Sequence, residues 1–147
     1  MSAPVHIRIL EPGDEGVLET VAPDVFDDPI DARAAREFLG DPRHRLAVAL
    51  DAEVVVGFVS AVLYVHPDKP SPELWINEVG VAPSHQGQGI ARRLLEATLA
   101  DARAAGCQEA WVLTDETNQA AKRLYQSGGG EPSDGHVMFT FRLGRDR

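Results

Sequence analysis

The stretch from Leu74 to Leu95 admits few folds. Leu74-Trp75-Ile76-Asn77-Glu78-Val79-Gly80-Val81 is an apolar run of strand composition, and it stops at Pro83, which cannot donate to a ladder. Ser84-His85-Gln86-Gly87-Gln88-Gly89 follows. Beyond it, Ile90, Ala91, Leu94, Leu95, Thr98, Leu99 and Ala102 recur at three- and four-residue spacing, which predicts an amphipathic helix ended by Gly106. A strand that runs through a glycine turn into a helix N-terminus brings unpaired N–H groups and the positive end of the helix dipole to one point. Gly87 and Gly89 carry no side chain to keep a ligand off that backbone. The combination favours a phosphate or pyrophosphate, so a phosphorylated cofactor is expected at the turn.

The residues that are missing narrow the choice of cofactor. A nucleoside-triphosphate loop carries Lys-Ser or Lys-Thr after its last glycine, where this chain has Ile90-Ala91. A dinucleotide fingerprint needs a third glycine, and Arg92 stands in its place. Gln86-Gly87-Gln88-Gly89-Ile90-Ala91 fits Gln/Arg-x-x-Gly-x-Gly/Ala instead. Together with Val79-Gly80-Val81-Ala82-Pro83, it resembles the acyl-coenzyme A signature of the GNAT superfamily of N-acyltransferases. The plainer alternative is a glycine-rich turn with no ligand.

At 147 residues the chain has the length of one domain, taken as 1–147, and can bury a substantial core. Its 44% hydrophobic and 25% charged residues are ordinary for a soluble globular protein. No apolar run reaches the length of a membrane span, and the start lacks a basic segment followed by an apolar core. A cytoplasmic location is expected. The single cysteine, Cys107, rules out an internal disulfide framework. A net charge of −9 argues against nucleic acid and for tolerance of cationic partners. The five histidines, His6, His44, His66, His85 and His136, show no ligand spacing, so no metal site is expected.

Taken in order, Val5 to Leu10 alternates as a half-buried strand, and Asp14 is placed to cap a short helix carrying Val17, Leu18 and Val21. Four aspartates, Asp24, Asp27, Asp28 and Asp31, precede a helical stretch with Ala34, Ala35, Phe38 and Leu39 on one face, ended by Gly40-Asp41-Pro42. Arg45 to Leu50 and Val54 to Val65 read as an antiparallel hairpin. The prolines of His66 to Pro72 predict a stiff exposed loop. Glu73 to Val81 is a fourth strand and Gln108 to Thr114 a fifth. Asp115 to Asn118 starts a short helix with Ala120, Ala121, Leu124 and Tyr125 inward, and Gly128-Gly129-Gly130 ends it. Val137 to Leu143 alternates Val137, Phe139 and Phe141 against Met138, Thr140 and Arg142, which predicts a closing strand. The sum is an α/β chain with helices packed on a mixed sheet.

That order matches the GNAT fold over nearly the whole chain, and the resemblance implies a mostly antiparallel sheet with a V-shaped opening between the fourth and fifth strands. It also implies acetyl-coenzyme A as cofactor. Val79, Gly80 and Val81 would pair with the pantetheine arm like an added strand. Gln86, Gly87, Gln88, Gly89, Ile90 and Ala91 would hold the diphosphate; Arg92, ahead of Arg93, is a candidate to reach it from the helix start, the plainer alternative being the solvated face of the helix. Asn118, Ala121 and Tyr125 match the family's second cofactor element, with the tyrosine beside the thioester sulfur. Glu78 stands where many members place a general base. Within the superfamily, residues 74–81, Leu113-Thr114-Asp115 and Val137-Met138-Phe139 are similar to aminoglycoside 3-N-acetyltransferases. This implies a cationic small-molecule amine as acceptor, no membrane partner and, as in many relatives, a homodimer.

The chemistry sets its own demands. An amine protonated at neutral pH must lose a proton before it attacks a thioester, and the departing thiolate needs one. Glu78 is assigned as base, its pKa raised by partial burial in the strand, and Tyr125 as acid. A solvent-facing strand carboxylate and a core aromatic are the plainer alternatives. Cys107 has no neighbouring base and is read as filling space rather than carrying an acyl group. Asp115 and Glu116, with Glu78 and Asp28, are candidate acceptor ligands through charge-assisted hydrogen bonds, although each alone is more often a cap or a solvated loop residue. A protein N-terminus, a lysine or another metabolite amine is the alternative acceptor, and a non-catalytic coenzyme A-binding sensor the alternative class.

Overall fold

The computed structural model describes residues 4–144. Five strands form one sheet in the order β1-β2-β3-β4-β5: β1 is His6–Ile9, β2 His44–Asp51, β3 Val54–His66, β4 Lys69–Val81 and β5 Glu109–Val112. The first four pair antiparallel, and β5 joins β4 in parallel. A parallel neighbour needs a long crossover, which is supplied by helix α2, Ile90–Ala104. Helix α1, Ala32–Gly40, is capped by Asp31, whose carboxylate accepts from the Ala34 N–H at 2.9 Å. Helix α3 is Gln119–Ser127.

Every residue of β3 from Val55 to Ala61 is buried, so this strand is covered on both faces. On one face lies α2. A Cβ at Gly57 would stand 3.1 Å from Leu94 Cδ1 and 3.4 Å from Ile90 Cγ2, so the helix rests directly on this glycine. Leu94, Leu74, Val48, Val55, Val56 and Val59 are the largest fully enclosed side chains. The other face is covered by the segment after a 3-10 turn, Asp14–Glu19, with Phe26 stacked on Phe58 at a centroid distance of 4.0 Å.

Gly80 marks how closely that segment lies on β4. A Cβ there would fall 2.6 Å from the Val25 carbonyl oxygen and 2.8 Å from Phe58 Cε1. Since neither backbone nor a packed ring yields readily, Gly80→Ala is expected to cost about 1–3 kcal/mol in urea unfolding. A stability equal to that of the parent chain would show that the Val21–Phe26 segment lifts freely from the sheet.

Four sequence expectations change. Asp14 does not cap the first turn; Gly13 holds the cap position, and Asp14 instead accepts from the Glu11 N–H and pairs with Arg8, each within 2.9 Å. The proline loop is shorter than its composition predicts, since only Pro67 and Asp68 separate β3 from β4. Pro70 and Pro72 lie inside β4, in a stretch that β5 does not reach and where the pairing with β3 is irregular. β5 ends at Val112 rather than Thr114. Finally, Val137 to Leu143 forms no strand among the described residues; its apolar side chains stand exposed.

Candidate active site

β4 runs on past the point where β5 stops. The last pairing of β5 is Val112 with Ile76, while β4 continues to Val81, so the flank of β4 from Asn77 onward has no strand partner on that side. Backbone groups left this way can accept an added strand. The resemblance implies an opening between these two strands, and the unpaired flank of β4 lies there.

Below the end of β4 the chain passes through a 3-10 turn, Pro83–His85, to the glycine turn. Gly87 and Gly89 hold φ of +78° and +77°, a left-handed conformation that other residues adopt only with strain. A Cβ at either position would meet nothing within 4 Å, so conformation, not crowding, requires glycine here. Gly89 occupies the cap position of α2 without any side-chain cap, which leaves the first N–H groups of the helix available. Gln86 reaches back, its Nε2 donating to the Val81 carbonyl oxygen at 3.2 Å, and so fastens the turn to the end of β4. Arg92 pairs with Glu96 at 2.8 Å on the exposed face of α2. Arg93 donates to the Val5 carbonyl oxygen at 2.8 Å.

A second fastening has no counterpart among the sequence expectations. His85 Nε2 lies 2.7 Å from Oδ2 of Asp51, the last residue of β2, and Ser84 Oγ lies 2.8 Å from His85 Nδ1. The pair ties a distant hairpin to the glycine turn; Asp51 and His85 are 34 residues apart, so no local signal announces it. His85→Ala is expected to raise the KM for the cofactor about fivefold, the loss of one hydrogen bond of ordinary strength, with kcat retained. An unchanged KM would mean that the turn holds its shape without this tie.

Glu78 lies opposite Ser60, and Gly80 opposite Phe58, so Glu78 shares the face on which Phe58 carries Phe26. The ladder slips between Ser60 and Ala61, and Asn77 is the unmatched residue. Glu78 is exposed, which corrects the expectation of partial burial: the slip turns it out of the strand's packed alternation. The same face carries Trp75 stacked on Trp111 at 5.5 Å, with Trp111 Nε1 donating to Tyr64 Oη at 2.6 Å. Tyr64 donates to Glu73 at 3.4 Å, and His66 Nε2 is 2.6 Å from the other Glu73 oxygen. This aromatic and acidic shelf spans three strands, and sequence reasoning missed it.

The acidic segment after the first turn reaches the same face. Asp24, Asp27 and Asp28 line a cleft of about 280 Å³ together with Val25 and Phe26. Glu116 is less free than expected, because Lys122 pairs with it at 3.1 Å. Asp115 is exposed at the end of the loop leaving β5, its carbonyl accepting from the Asn118 N–H. Asn118 caps α3, Oδ1 accepting from the Ala121 N–H at 3.0 Å. Tyr125 lies on α3, a helix in contact with α2, and is half-buried against the core, and burial pushes its hydroxyl pKa up. Burial likewise raises the Cys107 thiol, the opposite of what an activated nucleophile needs. Among the described residues no group of side chains could hold a metal ion, and no helix is long and apolar enough to cross a membrane.

Residues 15–129 match the model of the Acetyltransferase (GNAT) family. Among curated proteins, a mycothiol acetyltransferase of Streptosporangium roseum is 39% identical over 74 residues, half of this chain. The matched part is 21% of that relative's length, so this chain corresponds to only a fraction of it. Among solved structures, an aminoglycoside acetyltransferase from an uncultured soil metagenomic sample, in complex with sisomicin, superposes with a TM-score of 0.79 at 22% identity, covering 95% of this chain and 97% of that one. AAC(6')-Iy, in complex with the bisubstrate analogue CoA-S-monomethyl-acetylneamine, superposes at 0.77 and 21% identity, covering 96% and 100%. At these identities the two structures establish a shared fold.

Proposed function

The chain belongs to the GNAT acetyltransferase family, whose members use acetyl-coenzyme A, and from that premise we propose that it transfers acetyl to a primary amine of a cationic small molecule, an aminoglycoside first among them. The observation that carries this reading is the unpaired flank of β4: it begins beside Glu78 and ends at the Gln86-fastened glycine turn. The residues present fit the cofactor. Left-handed Gly87 and Gly89 and the uncapped start of α2, with Gln88, Ile90, Ala91 and Arg92, would hold a diphosphate. The free flank at Val79, Gly80 and Val81 would hold the pantetheine amides, with Asn118 and Ala121 across the opening.

When bound, acetyl-coenzyme A supplies an acyl group activated as a thioester. The protein's part is to move two protons and to orient the acceptor. Glu78, on the acceptor face, takes the proton from the ammonium, directly or through water. Tyr125, on α3, is a phenol and so neutral at physiological pH, a form that burial favours further, and it would give its proton to the departing sulfur. A backbone N–H near Val79 polarises the carbonyl. Asp28, Asp115 and Glu116, together with the Trp75–Trp111 shelf, present carboxylates and aromatic faces to a polycation.

The structural neighbour bound to sisomicin supports the aminoglycoside class. The position modified is proposed as the 3-amine from the resemblance at residues 74–81, while the name of AAC(6')-Iy carries the 6' position; mapping the acetylated nitrogen decides between them. The mycothiol acetyltransferase relative favours a second class, a metabolite amine. The test has two stages. Acetyl-coenzyme A at about 100 times its Kd should stabilise the fold by roughly 2.7 kcal/mol in thermal melts, and no shift would remove the cofactor reading. Turnover is then compared over aminoglycosides, metabolite amines and peptides. Transfer to peptides alone would replace the acceptor, and cofactor binding without turnover on any amine would make the protein a sensor.

A further inference from the structure

The two tryptophans of the chain, Trp75 and Trp111, stand side by side. They are opposite each other in β4 and β5, and their rings stack at 5.5 Å with 14° between the planes. Trp111 is exposed and Trp75 only partly covered, yet neither is loosely held. The indole N–H of Trp111 donates to Tyr64 Oη, Tyr64 donates to Glu73, and His66 Nε2 lies against the other Glu73 oxygen. Residues of three strands thus fix the Trp111 ring open to solvent, with its one polar group already occupied. An exposed side chain held in place beforehand costs a ligand little ordering. What it offers is the ring itself, whose negative face attracts a cation.

The charges around the pair point to the same kind of ligand. Trp75 lies opposite Val62 and Glu78 opposite Ser60, so the indoles and Glu78 share one face of the sheet. Glu109, two residues before Trp111, is exposed on that face as well, opposite Glu73. The stacked rings therefore lie between two carboxylates, Glu78 at one end and Glu109 at the other. Three residues of strand separate Trp75 from Glu78, about 10 Å at roughly 3.3 Å per residue. We propose that Trp111, backed by Trp75 and Glu109, is a second cation subsite, which selects acceptors that carry another ammonium roughly 10 Å from the nitrogen acetylated. This subsite rests on the proposed acetyl transfer, with Glu78 at the reacting end, and narrows the acceptor from cationic amines to amines with two separated charges. A monoamine would reach Glu78 and leave the indoles uncovered, and a compact dication would meet one end alone. Linked contacts gain most when the linker matches the span between them, so length should be selected as well as charge. Tyr64 and Glu73 act as positioning residues, setting the plane of the Trp111 ring.

Tryptophan emission reads this subsite alone, because the chain has no tryptophan elsewhere. The probes are α,ω-bis(trimethylammonium)alkanes of increasing length, beside alkyltrimethylammonium ions of equal chain length; none has a nitrogen that can be acetylated. The bis-cation should bind about threefold to tenfold more tightly than its singly charged counterpart once its chain reaches from Glu78 to the rings. Trp111→Ala should abolish that difference, followed through the emission of Trp75, and Trp111→Phe should keep part of it. Glu109→Gln, at an exposed position, should lower it and serves if Trp111→Ala fails to fold. Turnover is then measured on α,ω-diaminoalkanes and on alkylamines of matching length. The preference should lie in KM rather than kcat, and Tyr64→Phe, which unfastens the indole, should reduce it. Equal affinity for one charge and two, or a difference that survives both Trp111→Ala and Glu109→Gln, would overturn the subsite, whatever amine is acetylated. Length-dependent binding of the bis-cation with no transfer to any amine would instead remove the acetyl-transfer reading and leave the subsite standing.

Discussion

Glu78→Gln is expected to lower kcat by roughly 10²–10⁴-fold, the range for loss of a positioned proton acceptor, with the KM for acetyl-coenzyme A unchanged. The substitution keeps size and hydrogen-bonding capacity and removes only basicity. Glu78 is exposed and lies opposite Ser60, so folding stability should not move, and a thermal melt checks this. Full turnover in the variant would transfer the role to another carboxylate of the same face. Glu73 is poorly suited to it, because both of its oxygens are engaged by Tyr64 and His66.

How much of this site could be read in the sequence follows from how local each part is. The strand–turn–helix passage was legible because its pattern lies between Leu74 and Ala91, and the structure adds that Gly87 and Gly89 are left-handed. Helix α1 was legible for the same reason, while its Asp31 cap emerges only from the structure. Pro70 and Pro72 misled, because their missing N–H groups suggest a loop, whereas pairing with β3 draws them into a strand. The burial of Glu78 was misjudged because a slip in the ladder depends on Ser60 and Ala61, far away in sequence. The shelf of Tyr64, Glu73, Trp75 and Trp111 has contributions from β3, β4 and β5, and the tie between His85 and Asp51 crosses from the turn after β4 to the end of β2. Alternation at Val137 to Leu143 marks a segment with the pattern of a strand, yet the single chain pairs it with nothing. The pattern does not state where the other side of a ladder comes from, because hydrogen-bond partners are not encoded locally.

Tyr125→Phe carries the other large effect. Deleting one hydroxyl from a half-buried ring changes packing little, so a fall in kcat of roughly 10²-fold or more would report the lost proton donor rather than a damaged core. The pH dependence separates the two explanations. Burial raises the pKa of Tyr125, so the neutral, donating form should persist through the range where an ordinary phenol, near 10, begins to ionise. Activity of the parent chain should therefore hold to higher pH than a solvent-exposed tyrosine would allow, and fall only as the raised pKa is passed. Stability follows the same sign. The unfolded chain releases this proton first, so stability is fully present below about pH 10 and declines as the pH rises from there through the folded pKa. The variant has no phenolic proton to release at this position and should show neither alkaline loss. If Tyr125→Phe instead left kcat intact and lowered only the melting temperature, the hydroxyl would be a packing feature, and the thiolate would take its proton from solvent.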